Sequence, residues 1–227
     1  MTSCKITATY VDHMGSDLSV VNAARVSFDK TSEMEPNTWG PPTLKKRDEK
    51  LIKYLAKHKH ISPFGHAFVS FHVKAPIFVA RQLVKHKFLR WNEISRRYVT
   101  DNIEFFYPDT YRQAADDKKQ GSGGTVSDVV GNLCIEKVTA VNAKSVIAYQ
   151  ELLDIGVCEE QARMVLPQST TTKWYWSGSL DAFADMCNLR CKPDTQAETR
   201  KVANQIDHKM IELFPVAWAA LTENADE

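Results

Sequence analysis

The sequence GHAFVSFHVKAPIFVARQLVKHKF, residues 65–88, changes its hydrophobic period part-way along. Its first half alternates apolar with other residues, which is typical of a β-strand that has one face in the core. The predicted core face consists of Ala67, Val69, Phe71 and Val73. The opposite face consists of His66, Phe68, Ser70 and His72. Pro76 then suits the first turn of a helix, so the sequence predicts a strand that leads directly into a helix.

This helix is predicted to carry cations on its exposed side. Its apolar positions recur at helical spacing and predict a buried side made of Ile77, Ala80, Val84 and Phe88. Arg81 and Lys85 lie four residues apart and therefore share the other side.

The remaining strands and helices are mixed, without the regular alternation of a βαβ protein. Strands are predicted at 4–15 and 169–179. Helices are predicted at 16–28, 43–60, 135–156, 158–166, 180–190 and 194–214, the last of these stopped by Pro215. Pro/Gly-rich and Gly/Ser-rich segments predict flexible loops at about 30–42 and 114–132. We therefore expect an α+β fold in a single domain, residues 1–227.

The composition excludes strong overall attraction to nucleic acid or to an anionic membrane. The chain has 29 Lys and Arg against 28 Asp and Glu, so any anion site must be local. Its five cysteines are scattered and odd in number, which is typical of reduced thiols. The N-terminus has no apolar signal region, and no apolar stretch approaches the roughly 20 residues that span a bilayer. We expect a cytoplasmic protein.

A local concentration of cations does occur in KHKFLRWNEISRRYV, residues 85–99. Five Lys and Arg residues share this segment with aromatic residues and with Asn, Glu and Ser. The mixture offers charge for phosphate, hydrogen-bonding groups for a base or ribose, and aromatic surface for stacking. It predicts a nucleotide site, and composition leaves open whether the ligand is a mononucleotide or a nucleic-acid strand.

Three other motifs favour structural roles over chemistry. The glycines at 121–124 lack the strand, helix and spacing of a dinucleotide-binding loop. Cys187 and Cys191 lie one turn apart without an activating neighbour and are interpreted as buried structural thiols. Three histidines have no carboxylate or cysteine at ligand spacing, namely His58, His60 and His66. We therefore predict no metal site.

Segment 81–98 resembles the signature of the flavin-dependent thymidylate synthases, R-Q-x-x-R-H-R-x-x-S-x-N-E-x-S-x-R-Y. The residues in register with it are Arg81, Gln82, Lys85, His86, Lys87, Asn92, Glu93, Ser95, Arg97 and Tyr98. Similar blocks follow the family's order in NAARVSF (22–28), HISPFGHAFVSFHVKAPIFVARQ (60–82), GVCEEQARMVLP (156–167) and NLRCKPDTQAETR (188–200). The resemblance implies the thymidylate synthase-complementing fold, with a mixed or antiparallel sheet flanked by helices.

The resemblance also implies a reaction without an enzyme nucleophile. In this family dUMP is methylated to dTMP with 5,10-methylenetetrahydrofolate as carbon donor, FAD as hydride carrier and NADPH as reductant. The family is homotetrameric, and each flavin site is built from several subunits. No binding of nucleic acid or membrane is expected.

Site residues follow from the resemblance position by position. Those implied for FAD are Ser27, His60, Ser62, Lys85, His86, Lys87, Glu93, Asn188, Arg190 and Asp194. Those implied for dUMP are Gln82, Lys85, Glu93, Ser95, Arg96, Arg97, Lys173 and Arg200. Arg200 is also the implied catalytic residue, because a guanidinium stabilises the ionised uracil N3.

The chain departs from the family pattern at four positions. Lysines stand where the family has arginines, at Lys85, Lys87 and Lys173, and Arg90 replaces a serine. Lysine keeps the charge but loses the planar fork of arginine, and Arg90 is a candidate for compensation. Two alternatives stay open: a nucleic-acid-binding module, and a flavoprotein homologue that has lost synthase activity.

Overall fold

The computed structural model describes residues 4–115 and 121–222, and within them a four-stranded antiparallel sheet forms the centre. The strands are β1 (Thr7–Met14), β2 (Phe68–Pro76), β3 (Leu89–Glu93) and β4 (Thr171–Ser179), in the order β1-β2-β4-β3. The predicted α+β class is confirmed. Of the two sheet types that the sequence left open, the described strands form the antiparallel one.

Helices surround this sheet. They are α1 (Asp17–Arg25), α2 (Lys46–Lys57), α3 (Ile77–Leu83), α4 (Asp128–Asp154), α5 (Glu159–Ala162), α6 (Leu180–Arg190), α7 (Ala197–Leu213) and α8 (Pro215–Thr222). Short 3-10 turns cover Val26–Phe28, Ser62–His66 and Arg163–Val165. Among the described residues, no helix combines the length and apolarity needed to cross a lipid bilayer.

The core lies between the sheet and α6, α7 and α8. The predicted inward face of β2 is confirmed, since Val69, Phe71 and Val73 are fully buried. The ring of Phe71 meets Phe183 of α6 edge-on at 5.4 Å between centroids, and Phe183 meets Trp176 of β4 at 5.5 Å. These aromatic contacts attach the start of α6 to the centre of the sheet.

A buried carboxylate joins the two ends of the fold. Both oxygens of Asp17, at the start of α1, accept backbone N–H groups at the start of α8, from Val216 at 3.0 Å and Ala217 at 2.9 Å. Burial raises the pKa of Asp17, although these hydrogen bonds act in the opposite direction. Helix α7 ends at Leu213, so the predicted stop before Pro215 is confirmed, but Pro215 begins a further helix and α7 is not the last one.

The predicted helix after β2 is shorter than expected. It ends at Leu83, and its buried side consists of Val79, Ala80 and Leu83. Val84 and Phe88, predicted to be buried, are 49% and 80% exposed. The chain turns at Phe88, whose φ is 63°, and enters β3, a strand that the sequence did not predict. Tertiary contacts explain why this segment is a strand, because β3 pairs with β4 and the ring of Trp91 stacks on that of Trp174 with centroids 4.3 Å apart.

The two predicted loops have different outcomes. Residues 30–42 are irregular apart from a bridge between Glu35 and Thr43. Helix α4 begins at Asp128, so the last five residues of the predicted 114–132 loop are helical, and residues 116–120 lie outside the described residues. Helix α4 ends just before Gly156, whose positive φ of 90° suits a residue without a side chain.

Candidate active site

One group of predicted residues lines two adjoining clefts between the end of α3, the end of α6 and the start of α7. The first cleft, of about 390 Å³, is lined by Gln82, Arg190 and Asp194. The second, of about 510 Å³, shares Asp194 and includes Arg200. The fold thus brings four of the predicted residues together, although Gln82 lies about a hundred positions before the sequence block that holds the other three.

His86 and Arg190 meet beside the first cleft. Arg190 Nε donates a hydrogen bond to His86 Nε2 at 3.0 Å. Burial, followed by the charge of Arg190, lowers the pKa of His86 to about 4. His86 is therefore neutral at physiological pH, and its proton lies on Nδ1 because an arginine can only donate.

Gln82 is held in place by a chain of hydrogen bonds that sequence reasoning missed. Its Nε2 donates to Oε1 of Gln196, and its Oε1 accepts from Thr199 Oγ1 at 3.1 Å. Gln196 Nε2 in turn donates to Glu198 Oε2 at 3.1 Å. Arg112 Nη2 donates to both oxygens of Glu198, at 2.9 Å each. This chain orients the Gln82 amide at the wall of the cleft.

Arg200 lies near the start of α7, three residues after Ala197. Its Nη1 donates to the backbone oxygens of Pro193, at 2.5 Å, and Lys192, at 3.4 Å. These bonds hold the guanidinium at the edge of the second cleft while Arg200 stays partly exposed to solvent. Its charge is therefore positioned but not neutralised, which suits contact with an anion.

A second group of predicted residues lines a separate cleft of about 430 Å³ at the end of β3. The lining includes Glu93, Ser95, Arg96 and Arg97. One carboxylate oxygen of Glu93 accepts from Thr172 Oγ1 at 2.6 Å, and the other accepts from Trp91 Nε1 at 3.1 Å. Both of these donors were missed from the sequence. Thr172 becomes a neighbour of Glu93 only when β3 pairs with β4, and Trp91 lies two residues before Glu93 on β3, a strand that the sequence did not predict.

Two hydroxyl groups in this cleft lack partners. Thr170 Oγ1 and Thr171 Oγ1 are buried, and neither forms a hydrogen bond with the described residues. Buried polar groups are normally satisfied, so an unpaired pair in a cleft is typical of a site for a polar ligand. The cleft therefore has the chemistry of a small polar binding site.

The arginines of this cleft differ in their surroundings. Arg96 Nη1 donates to the backbone oxygens of Asp101, at 2.7 Å, and Val99, at 3.3 Å. It thereby closes the turn that follows β3. Arg97 lies over the ring of Tyr98 at 5.3 Å, and its Nε approaches Ser95 Oγ at 3.4 Å. Arg97 is thus the more available of the two to a ligand.

Exposed cations surround the turn between α3 and β3. The side chains of Lys85, Lys87 and Arg90 make no hydrogen bond or ion pair within the described part of the chain. Arg90 lies opposite Ser177 in the sheet, and strand alternation places Lys173 on the same outer face as Ser177. Two of the positions that depart from the resemblance, Arg90 and Lys173, therefore share one face of the sheet.

Besides the exposed lysines, four further predicted residues lie outside both groups. Ser27 is exposed in the 3-10 turn after α1, and Ser62 begins the turn that packs against α1. The ring of His60 stacks on Tyr54 with centroids 6.1 Å apart. Asn188 Nδ2 donates to the backbone oxygen of Leu221 at 3.0 Å. A single chain thus presents the predicted residues as several partial sites.

Comparison with known proteins identifies the family of this chain. A family model described as thymidylate synthase complementing protein matches residues 9–216. The chain belongs to this family. Its relatives are named flavin-dependent thymidylate synthase, and the one from Thermus thermophilus is 40% identical over 214 residues, 94% of this chain and 74% of the relative. The Thermotoga neapolitana relative is 37% identical over 215 residues, 95% of this chain and 90% of the relative.

A solved structure supports the same fold. The UMP/dUMP methylase PolB from Streptomyces cacaoi, bound with 5-Br dUMP, superposes with a TM-score of 0.84 at 32% identity, covering 97% of this chain and 96% of that one. The resemblance to the flavin-dependent thymidylate synthase family is thus confirmed, and with it the prediction of an enzyme. Lys85 and Lys87 stand where the signature quoted in the sequence analysis has arginines.

Proposed function

We propose that this member of the flavin-dependent thymidylate synthase family converts dUMP to dTMP. In this reaction 5,10-methylenetetrahydrofolate supplies the carbon and NADPH the reducing equivalents, so the products are dTMP, tetrahydrofolate and NADP⁺. The observation that carries the proposal is the cleft at the end of β3. There Glu93, Ser95 and Arg97 line a polar space beside the unpaired hydroxyls of Thr170 and Thr171.

Different residues would bind the phosphate and the nucleoside of the substrate. Arg97 and Lys173 would balance the phosphate charge, and the Ser95 hydroxyl would donate to a phosphate oxygen. Glu93, whose oxygens are held by Thr172 and Trp91, would accept from the nucleoside. Arg96 is committed to backbone oxygens and would act by shaping the turn. Gln82 and Lys85 would complete the pocket from the end of α3.

Arg200 would act on the reacting base. C5 of uracil donates an electron pair when the new carbon–carbon bond forms, and it does so more readily when N3 is ionised. A fixed guanidinium stabilises that anion. The backbone oxygens of residues 192 and 193 hold Arg200 in place before substrate arrives. No side chain is required as a nucleophile, so the protein's part is to bind, orient and stabilise charge.

The residues near Arg190 fit a flavin dinucleotide in their chemistry. Lys85 and Lys87 are exposed and unpaired in the described chain, so they would bind the pyrophosphate of FAD. Neutral His86 has its Nδ1–H free to donate while Nε2 is occupied by Arg190. Asn188, Arg190 and Asp194 would contribute from the end of α6 and the loop beyond it. A bound flavin would supply hydride transfer, which no side chain can perform.

Assembly into a homotetramer is part of the same proposal and would unite the partial sites, including Ser27, His60 and Ser62. Helix α4 supports it. Only Asn142, Ser145 and Tyr149 are buried among its 27 residues. Large apolar residues face solvent instead, at Val129, Val130, Leu133, Ile135, Val141 and Ile147. Such a helix is typical of an interface, and a second copy of the chain is the occupant that the family implies.

Release of tritium from 5-labelled dUMP tests the proposed function. Flavin-loaded protein should release tritium only with methylenetetrahydrofolate and NADPH present, because C5 loses its hydrogen when the new carbon–carbon bond forms. UMP should be tested in parallel, since PolB is named a UMP/dUMP methylase. Release from UMP alone would overturn dUMP as the substrate. A flavin spectrum without release from either would favour the homologue that has lost activity.

A cytoplasmic location and a single-domain organisation remain predictions within this proposal. Support for the first comes from the five cysteines, all of which are free thiols.

A further inference from the structure

A cluster of potential metal ligands lies at the end of α6, apart from the residues assigned to substrate. Cys187 and Cys191 are four residues apart on the helix, so both thiols project from the same side. Asp207 reaches them from α7. The two sulfurs and a carboxylate oxygen of Asp207 all lie within 4.8 Å of one another. Sequence spacing did not indicate this cluster, because Asp207 is brought there only by the packing of α6 on α7.

Each group of the cluster is held in position. Cys187 is buried, and its thiol approaches the backbone oxygen of Ala203 at 3.7 Å. Cys191 is half-buried beside it. Asp207 Oδ1 accepts a hydrogen bond from Trp218 Nε1 at 2.8 Å, which orients the carboxylate. An ion would therefore meet ligands that have little freedom left to lose on binding.

The cluster is also accessible. All three residues line a cleft of about 470 Å³, whose wall includes Lys192. Solvent can enter this cleft, so an ion could reach the sulfurs and keep a water molecule as a further ligand. The positive charge of Lys192 would offset part of the charge of three anionic ligands around a divalent ion.

We propose that Cys187, Cys191 and Asp207 bind one zinc-like divalent ion with a water molecule in the fourth position. Zinc takes thiolate and carboxylate ligands together, whereas Mg²⁺ and Ca²⁺ prefer oxygen alone. Tetrahedral zinc with Zn–S bonds of about 2.3 Å places two sulfurs roughly 3.8 Å apart, which small side-chain movements can reach here. Both thiols lose their protons to the buffer on binding, while Asp207 enters as a carboxylate.

The proposed ion would brace the end of α6. Arg190, which contacts His86, lies between the two cysteines in sequence, so binding would stiffen the turn that carries it. This role is structural and independent of the proposed function. Its failure would leave the synthase assignment untouched.

Cobalt titration of the reduced full-length protein tests the proposal. Co²⁺ bound by thiolates gives a sulfur-to-metal charge-transfer band in the near ultraviolet, and histidines elsewhere in the chain cannot produce it. We expect the band to saturate at one equivalent per chain and to disappear when Zn²⁺ is added. A titration without this band would overturn the proposal.

Three variants locate the site. Asp207→Asn keeps an oxygen that can accept from Trp218 Nε1, and Cys191→Ser removes one sulfur from a half-buried position. Each should weaken Co²⁺ binding at least about tenfold. Cys158→Ser, at an exposed position before α5, is the matched control and should bind Co²⁺ as the unaltered protein does. Circular dichroism checks folding. An unchanged band in both Asp207→Asn and Cys191→Ser would contradict the assignment.

Discussion

Arg190 Nε and His86 Nε2 lie 3.0 Å apart and link the end of α6 to the turn after α3. This contact joins a residue of the KHK segment to the NLR segment, 104 positions further along the chain. It determines the tautomer of His86, and together with burial it determines the charge. The first prediction follows from it.

We expect His86 to stay neutral down to a pH of about 4. The usual pKa of a histidine imidazole is 6.5, which His86 would have in the unfolded chain. Between pH 4 and pH 6.5 the unfolded chain therefore binds more protons than the folded one. The free energy of unfolding should therefore fall as the pH is lowered from 6.5 towards 4, and His86 should contribute no pH dependence above that range.

Denaturant unfolding at pH 5 and pH 7 measures this effect. His86→Asn should lose less stability than the unaltered protein over the same interval, because the group responsible is gone. His66→Asn, at an exposed position, controls for removal of an imidazole. An equal loss in His86→Asn and the unaltered protein would show that His86 does not cause it.

Arg200→Ala should keep the fold and the bound flavin and lose tritium release. Loss of one preorganised charge that stabilises a developing anion typically costs about a hundredfold or more in rate. Lys201→Ala removes the adjacent cation, which pairs with exposed Asp109, and should retain activity. Turnover near normal in Arg200→Ala would remove this residue from its catalytic role.

Arg90→Ser tests compensation for Lys85 and Lys87. If Arg90 supplies the bidentate contact that the lysines lack, the serine variant should bind dUMP or FAD about tenfold more weakly, or about 1.4 kcal/mol. Restoring Lys85→Arg and Lys87→Arg in the same chain should recover the affinity. Lys53→Gln, at an exposed position of α2, is the charge control. Equal affinities in Arg90→Ser and the unaltered protein, measured by calorimetry, would exclude compensation.

Arg112→Ala should destabilise the fold and disturb Gln82. Glu198 is 7% exposed at its side chain, so removing Arg112 leaves a buried carboxylate without its cation and with only the hydrogen bond from Gln196 among the described residues, at a cost of about 3 kcal/mol. The KM for dUMP should also rise, because the Glu198 and Gln196 contacts that orient Gln82 loosen. Asp109→Ala breaks an exposed pair and should cost less than about 1 kcal/mol. Equal midpoints for the two variants in urea unfolding would contradict the prediction.

Local signals predicted several elements at nearly their observed bounds. Alternation indicated β2, β-forming residues indicated β4, and Pro215 marked the end of α7, while α6 was predicted at its observed bounds. Strand β3 was not predicted, because its pairing with β4 joins residues about eighty positions apart and overrides the helical spacing of Val84 and Phe88. Periodicity carries no information about such pairing.

The candidate site shows the same difference between what local sequence indicates and what tertiary packing decides. Resemblance indicated Gln82 and Arg200 individually, but the partners that orient Gln82 include Arg112, whose contact with Glu198 spans 86 positions. Likewise Thr172 becomes a neighbour of Glu93 only across the sheet. Residue identity can thus be read from a signature, whereas the contacts that position each residue depend on tertiary packing.

Association through the solvent-facing apolar residues of α4 would make the stability and the activity of the protein depend on its concentration. If subunits associate through this helix, dilution shifts the equilibrium by mass action towards chains that are both less stable and incomplete at the site. The thermal midpoint and the specific activity should then fall together on dilution. Leu133→Glu should shift both declines to higher concentration, whereas Lys137→Glu, also exposed on α4, should shift them less. A single association constant would thus describe how both the thermal midpoint and the specific activity depend on protein concentration.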